Sequence, residues 1–263
     1  MTTGGIWQSG SGYESYVGRW SRRVAEVFID GLGIDRGGRW VDVGSGTGAV
    51  TETILSRAAP ASVIGIDPSE AFVAFARERV TDARASFSVG DGAALPLPDD
   101  AADVAVAGLV LNFAPDPVAI LAEMRRVTRA GGTVAIYVWD YAGGMEIMRH
   151  FWDTAIEQDP AVRDKAESLR FEICAPDPLR DAFAAAGLAD AAVEPIDIPT
   201  VFRDFDDYWR PFLMATAPAP RHAMSLSDED REDLRRRLQA RLPTEPDGSI
   251  HLTARAWAAR ATA

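Results

Sequence analysis

A short apolar strand that runs directly into three closely spaced glycines constrains this chain more than any other feature. Residues 39 to 48 read Arg-Trp-Val-Asp-Val-Gly-Ser-Gly-Thr-Gly. Trp40, Val41 and Val43 form a buried strand in this reading, Gly44, Gly46 and Gly48 form the turn out of it, and a helix follows from about Ala49 to Ser56. Glycine lacks a Cβ, so a ligand can approach such a backbone closely. A turn of this kind, opening the first strand–helix unit of a parallel sheet, is where open α/β folds hold nucleotide-like molecules.

The pattern around the loop extends that unit into a series. Val17, Trp20, Val24, Val27 and Phe28 recur at helical spacing within Tyr13–Leu32. After the loop come apolar strands at Ser62–Ile66, Ser86–Val89 and Asp103–Ala107. Ser69 is an N-cap for a helix marked by Phe72, Phe75, Ala76 and Arg79. Asp116-Pro117 opens another helix, which Gly131-Gly132 are expected to stop before a fifth strand, Thr133–Trp139. Strands alternating with helices argue a parallel, doubly wound sheet with right-handed crossovers.

Past Trp139 the rhythm changes. Two insertions are expected, at about 141–172 and 204–242, the first with a helix over Met145–Glu157 and the second with two helices. A sheet-covering helix, Asp177–Ala186, and a strand, Ala192–Ile198, lie between them. Asp247-Gly248 is a turn before a last strand, Ile250–Trp257, in which apolar and polar residues alternate. The expected organisation is a single domain with an N-terminal helical segment (13–32), a core (39–140), a helical cap made by the two insertions and a C-terminal strand (249–258).

Two ligand classes compete for the loop. Gly44 to Ala49 matches G-x-G-x-x-G/A, and Asp67 stands at a suitable distance to hold ribose hydroxyls, so an NAD(P)-dependent oxidoreductase is one reading. Asp42, two residues before the first glycine, suits a cationic ligand better than a pyrophosphate. Asp91, at the end of the third strand, is a second acid on the same rim. Lys165 is the only lysine and no tyrosine stands four residues before it, which removes oxidoreductases built on a Tyr-x-x-x-Lys pair.

Four ordered motifs then carry a resemblance: Val41–Gly48, Gly65–Ser69, Gly90–Pro98 with the strand after it, and Arg126–Gly132 with the strand Thr133–Trp139. Together they resemble class I S-adenosylmethionine-dependent methyltransferases, most closely the small-molecule branch of ubiquinone/menaquinone type, over roughly residues 39 to 140. Tyr16–Arg22 is also similar to an N-terminal segment of bacterial members. The resemblance implies a Rossmann-like sheet of order 3-2-1-4-5-7-6 with an antiparallel last strand and helices on both faces. It implies that Gly44, Ser45 and Gly46 approach the methionine part of the cofactor. Asp67, with Pro68 beside it, takes the ribose, and Asp91, Gly92 and Ala93 take the adenine. Leu109 and Asn112 then lie near the methionine end or the acceptor. Tyr16 and Arg19 are candidates to close over the cofactor, the latter on its carboxylate. Asp140 and His150 are the candidates for a catalytic base. The sulfonium is already a good leaving group, so displacement needs mainly alignment. A third reading is a non-catalytic S-adenosylmethionine-binding protein.

Bulk properties bound the rest. A net charge of −12 works against phosphate backbones and anionic lipid, though a local basic patch stays open. Cys174 is the only cysteine, so no intrachain disulfide forms, and His150, His222 and His251 lack metal-ligand spacing; no metal is expected. No leader pattern and no run of ~18 apolar residues occur. The expectation is a cytoplasmic monomer or homodimer with a small-molecule substrate, no nucleic acid partner and no membrane span.

Overall fold

The computed structural model describes residues 18–169, 171–214 and 217–263. Seven strands form one sheet in the order β3-β2-β1-β4-β5-β7-β6. In chain order they are β1 (Arg39–Val43), β2 (Ser62–Asp67), β3 (Ala85–Val89), β4 (Ala102–Gly108), β5 (Thr128–Trp139), β6 (Ala192–Phe202) and β7 (Ile250–Thr262). The first five pair in parallel. β7 runs antiparallel to β5: Gly131 donates to Ala263 and Ala263 to Gly132 at one end, and the Asp140 amide donates to Arg255 at the other. Helices lie on both sides of the sheet.

Burial follows position in the sheet. Val104, Ala105, Val106 and Ala107 of central β4 are all buried, as a strand covered on both faces requires. Edge strand β6 alternates instead, and it tolerates Pro195 and Pro199 because an edge leaves backbone positions without a ladder partner.

The chain divides into two compact units. The first combines 139–172 with 197–256 and residues 18–21; the second comprises 22–138, 173–196 and 257–263. In the second unit, the part of α1 (Arg19–Leu32) from Arg22 on buries Val24, Ala25, Phe28 and Ile29, and Phe28 meets Tyr137 at 4.8 Å between ring centroids. Here α2 (Ala49–Arg57) follows the glycine loop. α3 (Glu70–Arg79) is capped by Ser69 and contributes Val73 and Ala76 to a cluster with Val80 and Phe87. α4 (Pro117–Val127), capped by Asp116, and α6 (Pro176–Ala185) complete the unit.

The other unit is helical and aromatic. α5 (Glu146–Gln158) carries Phe151, which stacks on Phe212 at 4.6 Å. The second insertion contains α7 (Phe205–Trp209), a 3-10 turn (Arg210–Leu213), α8 (Pro218–Ser225) and α9 (Asp228–Arg241). Tyr208 ties α7 to α5 by donating its hydroxyl to the Ile147 carbonyl at 2.9 Å. Leu234, Leu238 and Leu242 are buried, and Ser227 caps α9.

Several boundaries differ from the sequence reading. Gly131-Gly132 do not stop a helix; α4 ends at Val127 and β5 begins at Thr128. The pair lies inside the strand, with Gly131 at φ +74° and the pairing register to β4 shifting between Ala102 and Val104. A Cβ on Gly132 would meet the Asp103 carbonyl oxygen at 2.6 Å, so these glycines form a bulge. Among the described residues the second insertion holds three helices rather than two; α8 begins at Pro218, where proline fits a first turn. β6 continues past Ile198 to Phe202. β7 continues past Trp257 to Thr262, with Ala259 and Ala261 buried. Val27 and Phe75, which fit the helical spacing, are about half exposed.

Candidate functional site

Parallel pairing brings the ends of three strands together. Val43 lies beside Ile66, and Asp67 beside Val89. Gly44 and Ser45 donate their amides to the Ile66 carbonyl at 2.7 and 3.1 Å, and Gly90 donates to the Asp67 carbonyl at 3.1 Å. The glycine loop, Asp67 and Asp91 therefore share one edge of the sheet.

The loop needs its glycines for different reasons. Gly44, Gly46 and Gly48 all have positive φ, which non-glycine residues rarely adopt. A Cβ on Gly44 would lie 2.5 Å from a Val110 methyl, whereas one on Gly46 would meet nothing within 4 Å. The loop is thus packed on the turn after β4 at its first glycine and open at its second.

Asp67 is buried, and its two carboxylate oxygens accept from the Gly46 and Ser69 amides at 2.9 Å each. Burial raises its pKa, opposed by those two hydrogen bonds. Each oxygen retains a further lone pair for a hydroxyl donor. Asp42 lies wholly beneath the loop. One of its oxygens accepts from the Thr51 hydroxyl at 2.7 Å, and the other has no partner. Burial, partly offset by Thr51, pushes its carboxyl up to about 7, with the Asp67 charge adding to the rise.

Asp91 is exposed and accepts from the Ala93 amide at 2.9 Å, which shapes the turn through Gly92. The segment after it is held by Arg126, whose guanidinium donates to the Leu95 and Leu97 carbonyls, to Asp99 and to Glu123. Pro68 is exposed beside Asp67.

The turn after β4 completes the set. Leu109 has φ +61°, a left-handed conformation that costs a side-chain residue roughly 1 kcal/mol. Its amide is fixed by donation to the Tyr137 carbonyl at 2.8 Å. Asn112 follows in a 3-10 turn (Leu111–Phe113), with both side-chain amide atoms buried and without partners. The buried Ser45 hydroxyl is likewise unpartnered. Sequence reasoning named these residues but carried no sign that their polar atoms are unmatched.

Other candidates are engaged elsewhere. Arg19 pairs with Asp207 at 3.3 Å and stacks over Trp20 and Phe202, at 4.4 and 4.9 Å. Asp140 accepts from the Gly143 and Gly144 amides at 3.1 and 3.0 Å, so it builds the turn after β5. His150 is half-buried on α5 with an unpartnered Nδ1, and burial together with Arg149 holds its pKa below the ordinary imidazole value. Tyr16 lies outside the described residues.

The residues present suit a ligand with a cationic centre and hydroxyl donors. Asp42, Asp67 and Asp91 pair with no basic side chain among the described residues, and Asp42 keeps one buried oxygen unmatched. A pyrophosphate would meet carboxylates where it needs donors. Among the described residues no group of three or more His, Cys, Asp or Glu is arranged to hold a metal. Nor is any helix among them long and apolar enough to cross a membrane.

Comparison with known proteins agrees with this chemistry. A family model described as "Methyltransferase domain" matches residues 41–136. A trans-aconitate 2-methyltransferase from Variovorax paradoxus is 34% identical over 118 residues, 45% of this chain and 45% of that protein. A demethylmenaquinone methyltransferase from Roseiflexus castenholzii is 32% identical over 139 residues, 46% of this chain and 58% of that protein. The chain thus spans about half the length of the curated relatives it matches. Among solved structures, phosphoethanolamine N-methyltransferase 2 from Haemonchus contortus in complex with S-adenosyl-L-methionine superposes with a TM-score of 0.58 at 17% identity. That match covers 97% of this chain and 58% of that one. Residues 41–136 thus match a methyltransferase domain, and the seven-stranded sheet has the strand order of the class I S-adenosylmethionine-dependent methyltransferase fold.

Proposed function

We propose that the protein transfers a methyl group from S-adenosylmethionine to a small-molecule acceptor by in-line displacement at an oxygen, nitrogen or carbon atom. The observation that carries this reading is an open glycine loop with Asp67 and Asp91 on its rim and Asp42 buried beneath it, none of the three paired with a basic side chain among the described residues. When bound, S-adenosylmethionine supplies a methyl carbon on a positively charged sulfur that departs readily as a thioether. The backbone of Gly44 to Gly46 approaches the amino-acid portion. Asp67 accepts from the ribose hydroxyls, beside Pro68, and Asp91 with the Gly92 and Ala93 backbone reads the adenine edge. Asp42 places negative charge beneath the cationic end, while Leu109 and Asn112 line the side where transfer occurs.

These groups bind and align; alignment alone can supply ~7–11 kcal/mol of a barrier. A base is needed only for an acceptor that arrives protonated. Of the two candidates His150 is better suited, because its Nδ1 is unpartnered and its lowered pKa favours the neutral ring near pH 7. Both oxygens of Asp140 already accept from backbone amides. The relatives named above bear the names of different acceptors, which supports a reading in which residues outside the shared segment select the acceptor. A small apolar or aromatic molecule in a cytoplasmic setting is the reading we carry forward.

Titration calorimetry tests the donor. Heat with S-adenosylmethionine and S-adenosylhomocysteine, and none with NAD, is expected; the reverse pattern overturns the proposal. Incubation with a methyl-labelled donor and a panel of small acceptors then tests turnover, and donor binding without transfer to any acceptor would favour a binding protein.

A further inference from the structure

Gly108, the last residue of β4, lacks a side chain for a reason its backbone does not supply. Its φ is not positive, unlike that of Gly44, Gly46 and Gly48, so conformation alone would admit a Cβ. Tyr137 is what excludes one. The two residues are register neighbours on β4 and β5, and a Cβ on Gly108 would lie 2.6 Å from the Tyr137 Oη and 2.8 Å from two of its ring carbons. The ring therefore lies across the end of β4. It has little room to yield, because Tyr137 is buried and packs on the buried Phe28 at 4.8 Å between centroids. Interiors packed this closely pass a displacement on to their neighbours.

The backbone of Tyr137 holds the next residue as well. Its carbonyl accepts from the Leu109 amide at 2.8 Å, and Leu109 has φ +61°. A side-chain residue stays in that region only where its surroundings impose it, and such residues gather at ligand clamps and active sites. Val110 follows, with methyls that would lie 2.5 and 2.9 Å from a Cβ on Gly44. The 3-10 turn with Asn112 comes directly after. The turn is thus held by Tyr137 at its start and by the glycine loop one residue later.

We infer that Tyr137 is a positioning residue for methyl transfer: through Gly108 and Leu109 it sets the turn bearing Val110 and Asn112 against the glycine loop. This role rests on the donor reading given above. Reactions accelerated by alignment are sensitive to displacement, and a shift of about 1 Å introduced away from the reacting atoms can cost on the order of 100-fold. If the ring merely filled the core between α1 and the sheet, stability alone would depend on it.

Calorimetry with S-adenosylhomocysteine separates the two roles, because stoichiometry reports the folded fraction and the dissociation constant reports the site within it. Tyr137→Leu, which removes the ring, should weaken binding about tenfold or more, and Tyr137→Phe, which keeps it, should restore affinity to within about threefold of the native protein. Gly108→Ala should also weaken binding about tenfold, yet the double variant should bind no more weakly than Tyr137→Leu alone, since the added Cβ then has room. Where Tyr137→Leu does not fold, Phe28→Leu loosens the ring without removing it and should weaken binding about threefold or more. Native affinity in the folded fraction of these variants, with only the unfolding midpoint lowered, overturns the inference and leaves the donor reading standing. A loss with Tyr137→Phe equal to that with Tyr137→Leu also overturns it, since the hydroxyl would then meet the ligand directly. No heat from the native protein with either S-adenosylmethionine or S-adenosylhomocysteine overturns the donor reading, and this role with it.

Discussion

Two aspartates, Asp42 at the end of β1 and Asp140 just after β5, are both buried, yet their surroundings differ completely. Asp140 has an amide donor for each oxygen, from Gly143 and Gly144, and its backbone amide donates to Arg255. Asp42 has the Thr51 hydroxyl on one oxygen and nothing on the other, and burial pushes its carboxyl up to about 7. A buried acceptor left without a donor costs about 1–3 kcal/mol. The turn after β5 is arranged for rigidity, whereas the floor of the glycine loop leaves an interaction open for something else to complete. Unmatched polar atoms of Ser45 and Asn112 extend the same contrast.

The sharpest way to break the comparison is to fill a glycine in each place. A Cβ on Gly44 meets both methyls of Val110, at 2.5 and 2.9 Å, while one on Gly144 meets the Cβ of Arg255 and lies 2.8 Å from an Asp140 oxygen. Gly44→Ala and Gly144→Ala should each destabilise by roughly 2–4 kcal/mol in urea unfolding. Only Gly44→Ala should recover, in part, when Val110→Ala is added. Equal recovery by both would mean the loop is no looser than the turn.

Next in size is ligand affinity. Asp67→Ala should weaken S-adenosylmethionine binding by about 100-fold in calorimetry, since charge-assisted hydrogen bonds contribute ~1.5–3 kcal/mol each. Asp140→Ala should leave affinity within about threefold and lower the unfolding midpoint instead. An affinity loss with Asp140→Ala equal to that with Asp67→Ala would erase the distinction.

The pH dependence of stability follows from Asp42. Its folded value, about 7, is above the unfolded value of 3.8, so the folded state holds the proton more tightly. The stabilisation is fully present below about pH 4 and is lost as pH rises through 7. Asp42→Asn should therefore match the native protein most closely near pH 4 and be the more stable of the two at pH 8, judged by unfolding at the two pH values. A variant less stable than the native protein at pH 8 would contradict the assignment. The smallest effect belongs to exposed pairs: Arg236→Ala, which breaks the contact to Asp233 on α9, should change stability by less than about 0.5 kcal/mol.

Much of the sheet was legible in the sequence because central strands, buried on both faces, leave unbroken apolar runs between glycines and caps. β1 and α2 fall within one residue of their expected limits for that reason. Gly131-Gly132 misled because a glycine pair after a helix reads as a stop, while what selects glycine here is the close approach of the Asp103 carbonyl. α8 was hidden by Pro218 and Pro220, and the end of β7 by alanines, whose burial carries little hydropathy signal. At the site the positions of the acids could be read, but their partners could not. That Asp67 holds the Gly46 amide and that Arg19 is taken by Asp207 depend on contacts 21 and 188 residues apart in sequence.

The grip of Arg126 on the segment after Asp91 has a consequence for how the protein is degraded. Pro96 and Pro98 lie in a partly exposed, irregular loop, the kind of chain that proteases nick first. One guanidinium holds two of its carbonyls, while Glu123 takes the Leu95 amide at 2.8 Å. A protease needs extended backbone, so cleavage here must wait for those bonds to open together. The survival time of this loop in a protease digest is thus a direct clock for the opening of α4 from the adjoining rim.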